Sequence, residues 1–138
     1  MVRSGGVYGG VFVRGPNGKT VLVYDNTKPI PAWKFPGGGG KYLPSLNRWE
    51  TPEETARREL EEETGLKASQ LTLLIKIDKK DHLWHLFEAR ISDFNGILKR
   101  GNDGEFVSIF PESQILLMSN FLHPHKKVIK DLGIITPT

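Results

Sequence analysis

Apolar and polar positions divide the chain into short segments. "VYGGVFVR" (7–14) alternates loosely, "GPNGK" is a turn signal, and "TVLVY" (20–24) resumes the alternation, which predicts a β-hairpin. Residues 25–49 contain Pro29, Pro31, Pro36, Pro44 and four consecutive glycines, so they are expected to be mostly loop. A helix is predicted over 52–64. Thr51 is a suitable N-cap, Pro52 suits the first turn, Glu54 completes a T-x-x-E capping box, and Gly65 stops it. "LTLLIKI" (71–77) and "HLWHLFEARI" (82–91) read as strands joined by "DKKD", and "EFVSIF" (105–110) as a further strand. Two short helical segments, 111–118 and 123–132, close the chain. Strands interleaved with few helices predict a mixed sheet flanked by helices in one domain, residues 1–138.

The helix carries charge where its backbone does not favour it. Glu61, Glu62 and Glu63 stand just before the stop, at the end whose carbonyls carry partial negative charge. Ala56 and Leu60 form the core-facing stripe, and Glu59, Glu62 and Glu63 share one arc beside it. Like charges three and four apart repel, and Arg58 at the edge of the arc cannot neutralise all three. Two readings follow from the helix alone: a solvated acidic face with some arginine pairing, or three carboxylates around a divalent cation. An oxygen-only donor set selects Mg2+ or Mn2+ over zinc or copper. Upstream, "WKFPGGGG" (33–40) ends in Gly37, Gly38, Gly39 and Gly40, where backbone N–H groups can come close to phosphate oxygens. Beside a carboxylate cluster this favours the cation reading, because Mg2+ commonly reaches its substrate through phosphates.

Composition narrows the classes. The chain has 138 residues, 38% hydrophobic and 25% charged, enough for one domain with a core. No apolar run approaches the roughly 18 residues of a membrane span, and the Gly-interrupted start does not read as a secretory signal. Without cysteine there are no disulfides, no thiolate catalysis and no Cys-ligated zinc, which fits a cytoplasmic protein. A net charge of +3 is too small to argue for nucleic acid as a partner, and the basic "HPHKKVIK" reads as a solvated helix face.

At this point the sequence resembles the Nudix hydrolase family, whose signature is G-x5-E-x7-R-E-U-x-E-E-x-G-U with U aliphatic. Glu50, seven residues, and then Arg58-Glu59-Leu60-Glu61-Glu62-Glu63-Thr64-Gly65-Leu66 match it from the first Glu onward, and "WKFPGG" is typical of the family. The resemblance implies an α/β fold of the Nudix α/β/α sandwich type with a mixed sheet. It implies metal binding by Glu59, Glu62 and Glu63, and a Glu50–Arg58 pair that orients the helix. A further metal carboxylate from a late strand would be Glu105. The implied chemistry is Mg2+-dependent hydrolysis (Mn2+ as the alternative ion) of a nucleoside diphosphate linked to another group, with the proton-accepting Glu left open between Glu62, Glu63 and a loop residue. One departure stands out. The family's Gly falls at Pro44, and between Gly38 and Glu50 lie eleven residues instead of five, so "GGKYLPSLNRW" carries about six extra.

Subfamily cues within the resemblance are mostly negative. The Pro of many ADP-ribose hydrolases and the Tyr of diadenosine polyphosphate hydrolases fall at Asp81 and His82. The "PGG" form resembles the MutT-like enzymes, so the expected substrate is a nucleoside triphosphate, cleaved to monophosphate and pyrophosphate. Nucleotide sugars come second, and a nucleotide-sensing module without turnover is the alternative class. Phe35, Trp33, Trp49, Tyr42 and Trp84 are aromatic candidates for stacking on a base, each with ordinary packing as the other reading. Asn120 and His125, near the last helix, are candidates for reading the base. Lys41 and Arg48 beside Tyr42 and Trp49 make the extra residues either a substrate lid or a plain surface loop.

Overall fold

The computed structural model describes residues 6–26, 29–79, 82–98, 100–101 and 105–135. The "DKKD" connection therefore falls partly outside the described residues, at Lys80 and Asp81. Strand β1 (Val7–Arg14) lies at the centre of a four-stranded mixed sheet. It pairs in parallel with β8 (Leu83–Arg90) along its whole length, from Val7 opposite Leu83 to Arg14 opposite Arg90, and antiparallel with β4 (Gly37–Gly39). β7 (Thr72–Asp78) completes this sheet against β8. A second sheet has the order β3 (Ala32–Lys34), β2 (Lys19–Asp25) and β9 (Phe106–Pro111), all antiparallel.

The first correction to the sequence reading concerns the expected hairpin. β1 and β2 are joined by a tight turn, with the Gly15 N–H donating to the Lys19 carbonyl at 2.8 Å, but they belong to different sheets. The turn reverses the chain, and each strand then finds its ladder partners elsewhere. The second correction concerns 25–49, which is not mostly loop. It holds β3, β4 and a two-stranded hairpin, β5 (Tyr42–Leu43) with β6 (Arg48–Trp49). Of the two closing helical segments, the first is a 3-10 helix, Glu112–Leu117, and the second is α2 (His123–Leu132).

Alternation along the central strands splits the core into two layers. Val11, Val13, Val21, Phe87 and Ala89 face the side covered by Ala56 and Leu60 of the helix α1 (Pro52–Thr64). Phe12, Leu22, Trp84 and Leu86 face the other side, where Val128 and Ile129 of α2 pack. The period of two in the strands and the single stripe on each helix thus produce an α/β/α arrangement. No helix among the described residues is long and apolar enough to cross a membrane.

The start of α1 is fixed locally, as expected. The Glu54 N–H donates to Thr51 Oγ1 at 3.2 Å, and the Thr51 N–H donates to Glu54 Oε1 at 2.8 Å. Gly65 ends the helix with φ +79°, a left-handed conformation that costs other residues more.

Candidate active site

The site grows from the exposed end of α1. Glu50, just before the helix, is buried, and Arg58 grips both of its oxygens, Nε to Oε2 at 2.8 Å and Nη2 to Oε1 at 2.9 Å. The Lys41 N–H and the Thr55 hydroxyl also donate to Glu50 Oε1, at 2.8 and 3.2 Å. Burial raises the pKa of Glu50, but the hydrogen bonds from Arg58, Lys41 and Thr55 outweigh it and hold the carboxyl below its ordinary value. Arg58 then spends its remaining nitrogens on the acidic arc. Nη1 lies 3.1 Å from both Glu59 Oε1 and Glu62 Oε2, and Nη2 donates to the Gly39 carbonyl at 2.9 Å.

Glu63 is served by other partners than Arg58. It accepts from the Gly37 N–H at 2.6 Å through Oε1, and its Oε2 stands 3.8 Å from Lys34 Nζ. Lys34 Nζ in turn donates to the Gly37 carbonyl at 3.3 Å, so both peptide groups of Gly37 enter one ring of contacts. Burial raises the pKa of the Glu63 carboxyl above its ordinary value. Lys34 and the Gly37 N–H oppose this, and the charges of Glu59 and Glu105 add to it. Glu105 therefore belongs to the same electrostatic cluster, brought there by the segment before β9, where the Gly101 N–H donates to the Glu105 carbonyl at 2.8 Å.

This arrangement answers the charge problem at the carbonyl end of α1. Two of the compensating cations come from other parts of the chain, Lys34 on β3 and Lys41 at 3.7 Å from Glu62 Oε1, and a third, Arg58, from the helix itself. Among the described residues, no three His, Cys, Asp or Glu side chains converge closely enough to hold a metal ion as they stand. Their oxygens are turned to these tethered cations instead. The donor set nevertheless suits a hard divalent ion, being carboxylate oxygen throughout with mutual repulsion around a buried member. A cradle also exists at Gly38, where a Cβ would come within 2.6 Å of Glu59 Oε1.

The glycine run needs a further correction. Gly37–Gly39 is a strand paired with β1, the Gly37 N–H is given to Glu63, and the Gly40 N–H to the Val7 carbonyl at 2.9 Å. Gly37 and Gly40 thus do not present open N–H groups to a phosphate. Close packing of Gly37 against β1 and of Gly38 against Glu59 of α1 is what the run provides.

Beside the cluster lies a cavity of about 260 Å3, lined by Gly37, Gly38 and Lys34 and by Tyr8, His82, Trp84 and His125. His125, a candidate base reader, lines it. Its ring is stacked between Trp84 (centroids 4.8 Å apart) and Phe35 (5.4 Å), and its Nδ1 accepts from the Phe35 N–H at 3.3 Å. Tyr8 and His82 pair at 4.1 Å. Two candidates do not fit their expected roles. Phe35 is 0% exposed and backs the cavity as a core residue, so its faces are taken by packing. Asn120 is exposed outside the cavity lining, and its carbonyl accepts from the Trp33 N–H at 2.8 Å. Trp33 itself packs on Tyr24 and Phe110.

The sequence reading missed Lys34, Lys79, Tyr8 and His82 as a group around one space. Only the phrase "WKFPGG" hinted at Lys34; Tyr8 and His82 are brought together by the parallel β1–β8 pairing, which no local pattern announces, and Lys79 is held beside them by its N–H bond to the His82 carbonyl at 2.8 Å.

The extra residues before α1 form a closed loop. The Glu50 N–H donates to the Lys41 carbonyl at 2.8 Å, so the β5–β6 hairpin leaves and re-enters the chain at one point. Tyr42 packs edge-on against Trp49 and its hydroxyl bonds Asn47, which adopts φ +50° at the tip. Arg48 reaches both oxygens of Glu54, at 2.8 and 3.1 Å. The six added residues are accommodated without displacing Glu50 from Arg58.

Comparison with known proteins agrees with this architecture. The model of the NUDIX domain family matches residues 7–132. A MutT structure from a study of Aliivibrio salmonicida and Vibrio cholerae superposes with a TM-score of 0.70 at 18% identity, covering 91% of this chain and 96% of that one. The NUDIX domain of Shewanella oneidensis NrtR, complexed with ADP-ribose, gives 0.70 at 18% identity over 92% and 85%. A MutT NUDIX hydrolase from Burkholderia pseudomallei gives 0.65 at 22% identity over 94% and 97%.

Proposed function

The chain belongs to the Nudix family; from this premise we propose that it is a pyrophosphohydrolase that cleaves a nucleoside triphosphate to the monophosphate and pyrophosphate with the aid of Mg2+. The observation that carries the reading is the contiguity of the acidic arc with the aromatic, lysine-bearing cavity across Gly37 and Gly38. Charge chemistry and recognition of a flat ring thus adjoin each other.

In this reading Glu59, Glu62, Glu63 and Glu105 would hold the cation. Bound Mg2+ supplies positive charge at the phosphate oxygens, where negative charge builds up during hydrolysis. The chain's own part is positional. Glu50 anchors Arg58, and Arg58 holds Glu59 and Glu62 at one edge of the arc. The Gly37 N–H fixes Glu63. Glu62, whose side chain is 31% exposed, is better situated than buried Glu63 to accept a proton from water. Lys34 and Lys79 give the cavity cationic walls for the anionic portion of the substrate, and Tyr8, His82 and Trp84 give it aromatic ones.

A second reading has one specific support, the likeness to a NUDIX domain complexed with ADP-ribose. Under it the substrate is a nucleotide sugar, or the domain binds such a ligand without turnover. Product analysis in 18O-labelled water separates these. Label in the monophosphate or in pyrophosphate, released from a triphosphate, supports the first reading. Label only in products of ADP-ribose supports the second, and no release from either with Mg2+ present supports binding alone.

A further inference from the structure

The cavity and the acidic arc share one residue that neither fully explains. Lys34 is 15% exposed, its ammonium stands 3.8 Å from Glu63 Oε2, and the only hydrogen bond recorded for it among the described residues is to the Gly37 carbonyl at 3.3 Å. It also lines the cavity, together with Lys79 and without any Asp or Glu among the described lining residues. A mostly buried ammonium needs a counter-charge. In this structure Glu63 supplies it. A divalent ion on the same carboxylate would set like charges side by side, and the flexible four-carbon stem allows the ammonium to turn away. The space it can turn into is an anion-seeking cavity.

We propose that Lys34 is an exchangeable counter-ion: it neutralises Glu63 before metal binds, is displaced by the divalent cation, and then pairs with the anionic part of the ligand in the adjacent cavity. Metal and ligand then reinforce each other. The metal releases the cation that the ligand needs, and by linkage the ligand, by holding Lys34 away from Glu63, favours the metal. The inference rests on the reading of Glu59, Glu62 and Glu63 as cation ligands, and it assigns Lys34 a coupling role within that site. Lys41 is a poorer candidate, because it is 62% exposed and lies outside the cavity lining.

The test is competitive lysine acetylation of the full chain, read by peptide mass spectrometry with exposed Lys127 as internal standard. Mg2+ alone should raise labelling of Lys34 severalfold relative to Lys127. An α,β-methylene nucleoside triphosphate added with Mg2+ should bring it back down. A parallel melting curve reports whether Mg2+ binds the folded chain at all. If Mg2+ leaves the melting temperature unchanged, the cation reading of the carboxylates fails. If the melting temperature rises while Lys34 labelling stays constant, that reading stands and the exchange is overturned. If labelling rises but the analogue does not reverse it, the transfer to ligand is overturned. As a second arm, Lys34→Met should keep the Mg2+ response of the melting temperature while KM for the triphosphate rises about tenfold, the scale of one charge-assisted hydrogen bond. Lys34→Arg should recover most of that loss, and an unchanged KM in Lys34→Met would contradict the proposal.

Discussion

Arg58 holds Glu50 by two parallel contacts, Nε to Oε2 at 2.8 Å and Nη2 to Oε1 at 2.9 Å, with both residues largely removed from solvent. Planar two-point recognition of a carboxylate is something a lysine ammonium cannot reproduce. Arg58→Lys should therefore lower kcat by about tenfold to a hundredfold, the usual scale for groups that orient a site's ligands. Steady-state kinetics against wild type would check this; a loss below threefold would mean that charge alone suffices.

Removing the other partner tests the same link through stability. Glu50→Ala leaves Arg58 with Glu59, Glu62 and the Gly39 carbonyl and strips the Lys41 N–H and Thr55 hydroxyl of an acceptor. Breaking a buried pair costs about 3–5 kcal/mol, and Arg58's remaining partners should reduce that to about 2–4 kcal/mol. Urea denaturation in EDTA measures it directly.

Such links differ in how far the sequence announces them. Helix α1 was legible because its signals are local: Thr51, Glu54 and Gly65 fix its ends, and Ala56 and Leu60 its buried face. The Glu50–Arg58 pair was legible only through the family resemblance. The fate of β1 and β2 was not, since "GPNGK" reverses the chain whether or not the flanking strands pair. The glycine run read as loop because a strand of glycines has no alternation to display. Lys34 and Glu63 are far apart in sequence and meet because β4, paired with β1 at the edge of the sheet, lies against α1.

Acid should reveal the helix cap. Hydrogen bonds from Arg48 first, then from the Thr51 N–H, lower the Glu54 carboxyl from 4.5 to about 2. A carboxyl lowered on folding stabilises the fold above its unfolded pKa, and that contribution disappears as pH falls through the folded value. The stability gap between wild type and Glu54→Ala should be constant above about pH 5 and shrink between 4.5 and about 2. A gap independent of pH would assign the effect to helix propensity instead.

Deleting residues 43–48 removes most of the hairpin but keeps Lys41 and Glu50, whose mutual contacts close its base. Metal-induced stabilisation should persist and kcat should change by less than about threefold, while KM carries any larger effect, as loss of uniform binding does. Lost metal response in this variant would show that the hairpin positions the helix start.

The central claim is that the arc on α1 performs phosphoanhydride hydrolysis with a divalent cation. The most direct measurement is nucleoside monophosphate release from a panel of nucleoside triphosphates and nucleotide sugars with Mg2+, repeated in EDTA and with Glu62→Gln and Glu63→Gln. We expect turnover of at least one triphosphate, its loss in EDTA, and a fall in kcat of about a hundredfold or more in each variant, the scale of lost charge stabilisation at such sites. Turnover that persists in EDTA, or near-wild-type rates in both variants, would contradict the account.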